Sequence, residues 1–331
     1  TREGLPLGDK IRIRSLRLRD FCRGLIGLLG AILVFGLPIV PSEVDASEVR
    51  VLPHHPPGVT YNGLHSSENP TPGQVADDLK QIQQHFGVIR TYYAQFGGGA
   101  VDVGKVAADV GMKVLVGLYL YPNQPDWIAK DYEQFVKPAV SRGNVIGVLI
   151  GNEDSDKLAT VKDYLTKAKA DFPQTPVSTS QTAGFWLTDP GAVDILPLVD
   201  FIAVNIYPAW NWERADADLQ PIGVTPQSGF KSFRATYDRV AAKYPGKQIV
   251  VTETGWPTSY GKIPSKQFPV GVSNARDYLN LVMTWAKTSD PPVNLYLYGM
   301  YDPLYGVGLG SLFNYHFGLI DSDGKSKGVL F

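Results

Sequence analysis

The chain has 331 residues, 44% of them hydrophobic and 19% charged, with a formal net charge of −1. That length allows one large domain or two modest ones, and the apolar fraction suits a soluble globular body. The charge is uneven: residues 1–24 carry seven basic and three acidic side chains, a net of +4, which leaves −5 on the remainder. A mildly acidic body without a basic stripe argues against nucleic acid as a partner.

The basic head runs into "LIGLLGAILVFGLPIV", Leu25 to Val40. A positive region, an apolar core and the small-residue string "VDA" at Val44–Ala46 have the layout of a secretory signal. Residues 1–46 are therefore expected to be a cleaved signal peptide, or an uncleaved signal anchor that holds the chain to a membrane. In either case the body is exported, periplasmic or secreted. The single cysteine, Cys22, lies in the basic head, so the body has neither disulfides nor thiolate chemistry. The five histidines show no helical i, i+4 pairing, so neither a metal nor another cofactor is expected.

Residues 47–57, "SEVRVLPHHPP", read as a linker. Eight apolar, strand-like runs follow: 58–64, 87–93, 113–120, 145–152, 176–182, 200–208, 248–254 and 294–302. Amphipathic helical patterns alternate with them, including "TPGQVADDLKQIQQHF", "PDWIAKDYEQFVKPAVS", "LATVKDYLTKAKADF", "FKSFRATYDRVAAKY" and "SNARDYLNLVMTWAKTS". In the third of these, Val161, Tyr164, Leu165 and Ala168 form one buried stripe. Strands such as "KVLVGLYL" are apolar on both faces, as a parallel sheet covered by helices requires.

Eight strand–helix units over residues 58–331 predict a (β/α)8 TIM barrel, a single catalytic domain expected to be monomeric. A doubly wound open sheet would give the same alternation. No dinucleotide fingerprint follows the first strand, and "GVGLG" at 306–310 lacks the strand–turn–helix setting that would give it meaning.

In a barrel the C-terminal strand ends form the active-site face. Glu153 ends the fourth strand in "LIGNEDS" and Glu253 ends the seventh in "VTETGWPTS". A lone glutamate after a strand is usually a carboxylate favoured by the following helix dipole. Two of them facing one mouth suit glycosidic bond cleavage, in which one carboxyl donates a proton and the other is ionised.

"IGNED" and "VTETGWPTS" resemble the two signature strings of family 17 glycoside hydrolases, the β-1,3-glucanases and β-1,3-glucanosyltransferases. "DFIAVNIYP" resembles that family's sixth strand and "GMYDPLYG" with "HFGLIDSDGKSK" its C-terminal stretch in short microbial members. The resemblance implies a retaining enzyme that needs no metal, with Glu153 as acid/base and Glu253 as nucleophile. It also implies that Asn152 bonds the sugar 2-hydroxyl and that Tyr207 holds Glu253. Asn205, Tyr301 and Asp302 fall within the matching strings. Many relatives carry an acidic residue directly after that aspartate, whereas Asp302 precedes Pro303.

Because a glucose face packs on aromatic rings, Trp256 is the expected platform beside the nucleophile, with Trp186, Trp210 and Trp212 as further platforms. Tyr61, Asn62, Tyr92 and Tyr121 close the first three strands and are expected to line the cleft. Trp127 and Trp285 fall in helical patterns and are expected to pack against the barrel. The expected substrate is β-glucan or a gluco-oligosaccharide, hydrolysed or transferred. A barrel that binds β-glucan without catalysis and a glycosidase for another β-glycan are the alternatives. "DSDGK" at 321–325 reads as a turn at Asp323-Gly324, not as a calcium loop.

Overall fold

A computed structural model of the chain describes residues 50–211, 225–259, 268–304 and 315–330, except the side chains at 210 and 211. The expected signal or anchor segment 1–46, Trp212 and the side chain of Trp210 thus lie outside the described residues. Ten strands follow one another among the described residues. They are β1 (Gly58–Tyr61), β2 (Val88–Thr91), β3 (Gln95–Phe96), β4 (Val101–Asp102), β5 (Lys113–Leu118), β6 (Val145–Asn152), β7 (Val177–Thr182), β8 (Ile202–Asn205), β9 (Ile249–Thr254) and β10 (Leu295–Leu297).

Eight of these close a parallel barrel in the order β1-β2-β5-β6-β7-β8-β9-β10, with β10 returning to β1. Each barrel strand falls within one of the eight apolar runs, and closure decides against the open sheet. β3 and β4 form a small antiparallel hairpin outside it, which the apolar pattern does not reveal.

Helices cover the outside of the barrel. Helix Pro72–Gln83 starts with a capping box: Gln74 N–H donates to Thr71 Oγ1 and Thr71 N–H to Gln74 Oε1. Its Val75, Leu79 and Ile82 are buried on one stripe. The stretch 125–141 is not one regular helix, since a π turn at Tyr132–Val136 separates Pro125–Asp131 from Lys137–Ser141. Pro138 has no N–H and its ring crowds the carbonyl one turn back, a conflict that a wider turn relieves.

Strand alternation sorts the barrel interior into layers. Val88, Leu115, Leu149, Ala203, Val250 and Tyr296, with Phe201 and Leu52, form an apolar core of their own. Two residues further along the same strands stand Arg90, Gly117, Gly151, Asn205, Thr252 and Tyr298, a layer of polar and small residues. The apolar layer is the floor of the barrel and the polar one the base of its mouth.

Two irregularities aim the glutamates. Asn205 pairs with Glu253 where Val204 pairs with Val251, and Leu297 pairs with Thr254 where Leu295 pairs with Val251. Both neighbours therefore find one extra residue in β9, a bulge that breaks the alternation at Thr252–Glu253. β6 also has an extra residue, because Leu149 pairs with Ser178 but Asn152 with Ser180. There Gly151 turns with φ 73°, a left-handed value that favours glycine.

Residues 50–57, expected to be a linker, are built into the floor instead. Leu52 is fully buried in the apolar layer, its N–H donating to Gln248 Oε1 at 2.8 Å and its carbonyl accepting from Gln248 Nε2 at 3.0 Å. Asn294 accepts from His55 N–H and donates to Pro53 O, and Arg50 bridges Phe172 O and Asp200. At the other end of the chain, Asp321 Oδ1 accepts from the N–H groups of Asp323 and Lys325, and Gly324 is left-handed at φ 83°. That stretch is the expected turn.

Leu52 closes a packed layer that cannot collapse around a void. Leu52→Ala is therefore expected to destabilise the fold by about 2–5 kcal/mol. A lower urea midpoint with an unchanged m-value is the expected readout.

Candidate active site

At the C-terminal ends of the barrel strands opens a cleft of about 710 Å³. Asn152, Glu153, Asn205, Tyr207 and Glu253 line it together, with Asn62, Tyr92 and Tyr301 on its walls. Sequence reasoning placed these eight residues there. Their chemistry is set by the polar layer just above the floor.

Glu253 is buried and serves as acceptor in all three of its described side-chain bonds. Arg90 Nη1 and Tyr92 OH donate to Oε1, the latter at 2.8 Å, and Tyr207 OH donates to Oε2 at 2.7 Å. Burial raises the pKa of both tyrosines well above the ordinary range, and the charge of Glu253 adds to it, so both stay protonated donors. Arg90 is 1% exposed and lies 4.0 Å over the Tyr92 ring. Burial opposes its charge, but Tyr92 and Glu253 outweigh that effect and hold its pKa above the ordinary value.

Glu153 lies under different influences. Its pKa is raised, first by burial and then by the charge of Glu253, against the opposing hydrogen bond from Asn205 Nδ2 at 2.8 Å. The same amide donates to Asn152 Oδ1 at 3.1 Å, while its Oδ1 accepts from Ser180 Oγ and Thr252 Oγ1. Asn205 is thereby locked in one orientation, all its hydrogen-bonding capacity toward its neighbours used. Asn152 Oδ1 also accepts from Arg90 Nη2 at 2.7 Å, so one guanidinium joins Glu253 to Asn152.

The backbone at Glu153 is left-handed, φ 57°, a conformation that costs a non-glycine residue energy and persists where its surroundings fix it. Those surroundings are visible. Glu153 N–H donates to Ser180 O at 2.8 Å, Asn152 N–H to Asp154 Oδ2 at 2.9 Å, and Lys157 Nζ ties Asp154 Oδ1 to Leu120 O.

Five expected cleft residues lie elsewhere. Trp256 is 1% exposed, packs on Phe268 and Tyr278 and donates its Nε1–H to Pro269 O, so it braces the turn behind Glu253 and offers no face to a sugar. Trp186 is equally buried, its Nε1–H bound to Ala203 O and its ring against Tyr244. Tyr61 points out of the barrel, its hydroxyl on Asp78 of helix 72–83, because Thr60 takes the inward position of β1. Tyr121 is half-buried with its hydroxyl on Asp131 Oδ2 at 2.9 Å. Asp302 is bound by Gly318 N–H and by Lys327 Nζ at 2.5 Å, and its neighbour Pro303 lines the cleft.

Several residues escaped sequence reasoning. Arg90 is the most consequential, and a charged residue at the inward register of an apolar strand is the signal that identifies it. Tyr93, Tyr119, Tyr298 and Phe317 supply the aromatic walls. Of the two tryptophans expected to pack inside, Trp285 does so, but Trp127 is 42% exposed. Among the described residues no group of three or more His, Cys, Asp or Glu is placed to hold a metal ion.

A family model described as the BtgE/BtgC glycoside hydrolase domain matches residues 58–307. The "Probable beta-glucosidase btgE" of Aspergillus clavatus is 24% identical over 180 residues, 52% of this chain but only 29% of that protein. Among solved structures, a family 17 β-1,3-glucanosyltransferase from Rhizomucor miehei has a TM-score of 0.66 at 20% identity, over 86% of this chain and 98% of that one. An endo-laminarinase from Formosa has a TM-score of 0.70 at 17% identity, over 83% of this chain and 86% of that one. At such identities the structural likeness concerns the barrel.

Two outcomes test the electrostatics. Since the Glu153 pKa is raised above its ordinary 4.5, Glu153 keeps its proton to higher pH, and Glu253→Gln, which removes the like charge, is expected to lower that pKa. A carboxyl-carbon NMR titration reads the shift, and an unmoved Glu153 would show that the two groups are not coupled. Arg90→Ala leaves a buried carboxylate without its cation and is expected to cost about 3–5 kcal/mol. In a Glu253→Gln background that cost should shrink, and a double-mutant cycle by urea unfolding measures the difference.

Proposed function

The chain belongs to the BtgE/BtgC glycoside hydrolase family, and from that premise we propose that it is a retaining, β-1,3-glucan-active enzyme working through a glucosyl ester on Glu253. The observation that carries this reading is one cleft holding two glutamates in opposite surroundings. Glu253 is met by a guanidinium and two hydroxyl donors, whereas burial and the charge of Glu253 raise the pKa of Glu153 and favour its protonated form. That division of a carboxylate pair into nucleophile and acid is what glycoside cleavage with retention requires.

A Glu253 carboxylate oxygen attacks the anomeric carbon while Glu153 gives its proton to the departing glycosidic oxygen, which leaves as an alcohol. Glu153, now ionised, takes a proton from water or from a sugar hydroxyl, whose oxygen displaces Glu253 and completes hydrolysis or transfer. Asn152 has its Oδ1 occupied by Arg90 and Asn205, which leaves its Nδ2–H to donate to the sugar 2-hydroxyl. Tyr92 and Tyr207 fix the nucleophile's orientation. Water and sugar acceptors use the same residues, so the two fates compete at a single ester.

The choice of β-1,3-glucan is supported by the names of structural relatives: a glucanosyltransferase, whose active-site mutant binds laminaritriose, and an endo-laminarinase. Export, the expectation from residues 1–46, would bring the enzyme to such a polymer.

Incubation with linear β-1,3-gluco-oligosaccharides tests the reading. Shorter products show hydrolysis and longer ones transfer; no turnover of these sugars overturns it. Glu253→Ala is expected to lose turnover and to regain part of it with azide, as the α-linked glucosyl azide. A β-linked azide from that variant would exchange the roles of the two glutamates.

A further inference from the structure

The described surface has few large exposed apolar side chains, and one of them is an indole. Trp127, in the first turn of helix Pro125–Asp131, is 42% exposed, with Lys130 Nζ 5.3 Å from its ring centroid. It is the end of a file of rings. Tyr93 and Tyr119 line the cleft with centroids 4.6 Å apart; Tyr121 stands 5.0 Å beyond Tyr119, and Trp127 is 6.1 Å beyond Tyr121. All three tyrosines are partly exposed, and the file leads without a gap from the catalytic cleft to the open surface beside the ends of β2 and β5.

This file is held in place. Tyr121 OH donates to Asp131 Oδ2 at 2.9 Å and Gln95 Nε2 donates to Tyr121 OH at 3.2 Å, so the hairpin β3–β4 and helix Pro125–Asp131 are clamped to one tyrosine. The hydroxyl stays protonated, because burial raises its pKa and Asp131 raises it further. The backbone N–H of Trp127 donates to Gln124 O at 3.2 Å, closing the first helical turn from which the indole projects. A core indole would be covered, as Trp186 and Trp256 are. The rings are tilted 32°, 77° and 57° to their successive neighbours, so the file offers partly exposed edges and faces in turn. With Lys130, Asp126 and Gln124 beside it, the file suits a chain of sugar rings, each with an apolar face and a rim of hydroxyls.

We propose that Tyr119, Tyr121 and Trp127 form an extended binding track that carries a β-1,3-glucan chain out of the cleft, with Trp127 as its outermost platform. The proposal rests on the function proposed above and adds to it a preference for chains long enough to reach Trp127. A sugar several residues away from the cleaved bond gains only binding, so the track acts on substrate capture and not on the chemical step.

The test compares wild type, Trp127→Ala and Trp127→Phe on β-1,3-gluco-oligosaccharides of increasing length and on soluble laminarin. Circular dichroism and a melting curve check folding. In the wild type KM is expected to fall as the chain lengthens. In Trp127→Ala that gain at long lengths should be lost, a rise in KM of roughly two- to tenfold, with Trp127→Phe between the two. Equal chain-length dependence in all three proteins overturns the track. Mobility in gels containing laminarin, measured for Glu253→Gln with and without Trp127→Ala, separates the two readings. Retardation that depends on Trp127 in the absence of wild-type turnover would keep the track and overturn the enzyme. Turnover with no Trp127-dependent retardation does the reverse, and neither signal overturns both.

Discussion

A guanidinium and a carboxylate meet inside a barrel of apolar strands, and the rest of the site is arranged around that contact. Arg90 and Glu253 are almost wholly removed from water, where an isolated charge of either sign would cost several kcal/mol. They offset each other; Asn152 accepts from Arg90 Nη2, and Tyr92 and Tyr207 donate to the carboxylate. The two glutamates do not share this cation equally. Glu253 has the direct contact with Arg90; Glu153, nearby and also partly desolvated, finds its charge disfavoured and its pKa raised. Two identical side chains thus stand in unequal surroundings, one directly on the arginine and the other disfavoured as an anion by burial and by its neighbour.

The backbone makes the same distinction. A regular strand would alternate and turn either Thr252 or Glu253 away from the mouth. The extra residue in β9 lets both face it, so Thr252 steadies Asn205 while Glu253 receives Arg90. The extra residue in β6, with a left-handed Gly151 followed by a left-handed Glu153, swings Glu153 in from the other side. This backbone is strained, and Asp154, Lys157 and the Ser180 carbonyl hold it. Asn205 lies between the two bulged strands and its amide bonds to Asn152 and Glu153 on one side and Thr252 on the other.

These features explain which parts of the structure were legible in the sequence. Apolar runs bounded by helical patterns located all eight barrel strands, because parallel strands buried on both faces have no other composition available to them. The two glutamates were legible because each ends a strand. What period-two alternation decides was within reach yet easily missed: Thr60 faces the cleft and its larger neighbour Tyr61 does not, and Arg90 shares its face with Val88. Bulges lie beyond such reasoning, since an extra residue leaves no mark in composition. For residues 50–57 the expected linker gave way to barrel floor for a related reason. A proline-rich segment with one leucine gives no hint that the barrel floor lacks a side chain that Leu52 supplies.

The aromatic residues divide by what their polar atoms require. A buried indole must satisfy its N–H, and both Trp186 and Trp256 do so on carbonyls, Ala203 O and Pro269 O, which commits them to the scaffold. Position beside a catalytic residue is therefore a poor guide to a sugar platform, because the turn that presents the residue needs its own packing. Rings that stay partly exposed while their hydroxyls are pinned are different: they keep a face free at little cost in lost rotamer freedom. Tyr92 fulfils both roles, its hydroxyl on Glu253 and its ring under Arg90 at the cleft wall. Where the walls are such rings and the base is a polar network, the cleft sets apolar ring faces above a charged layer.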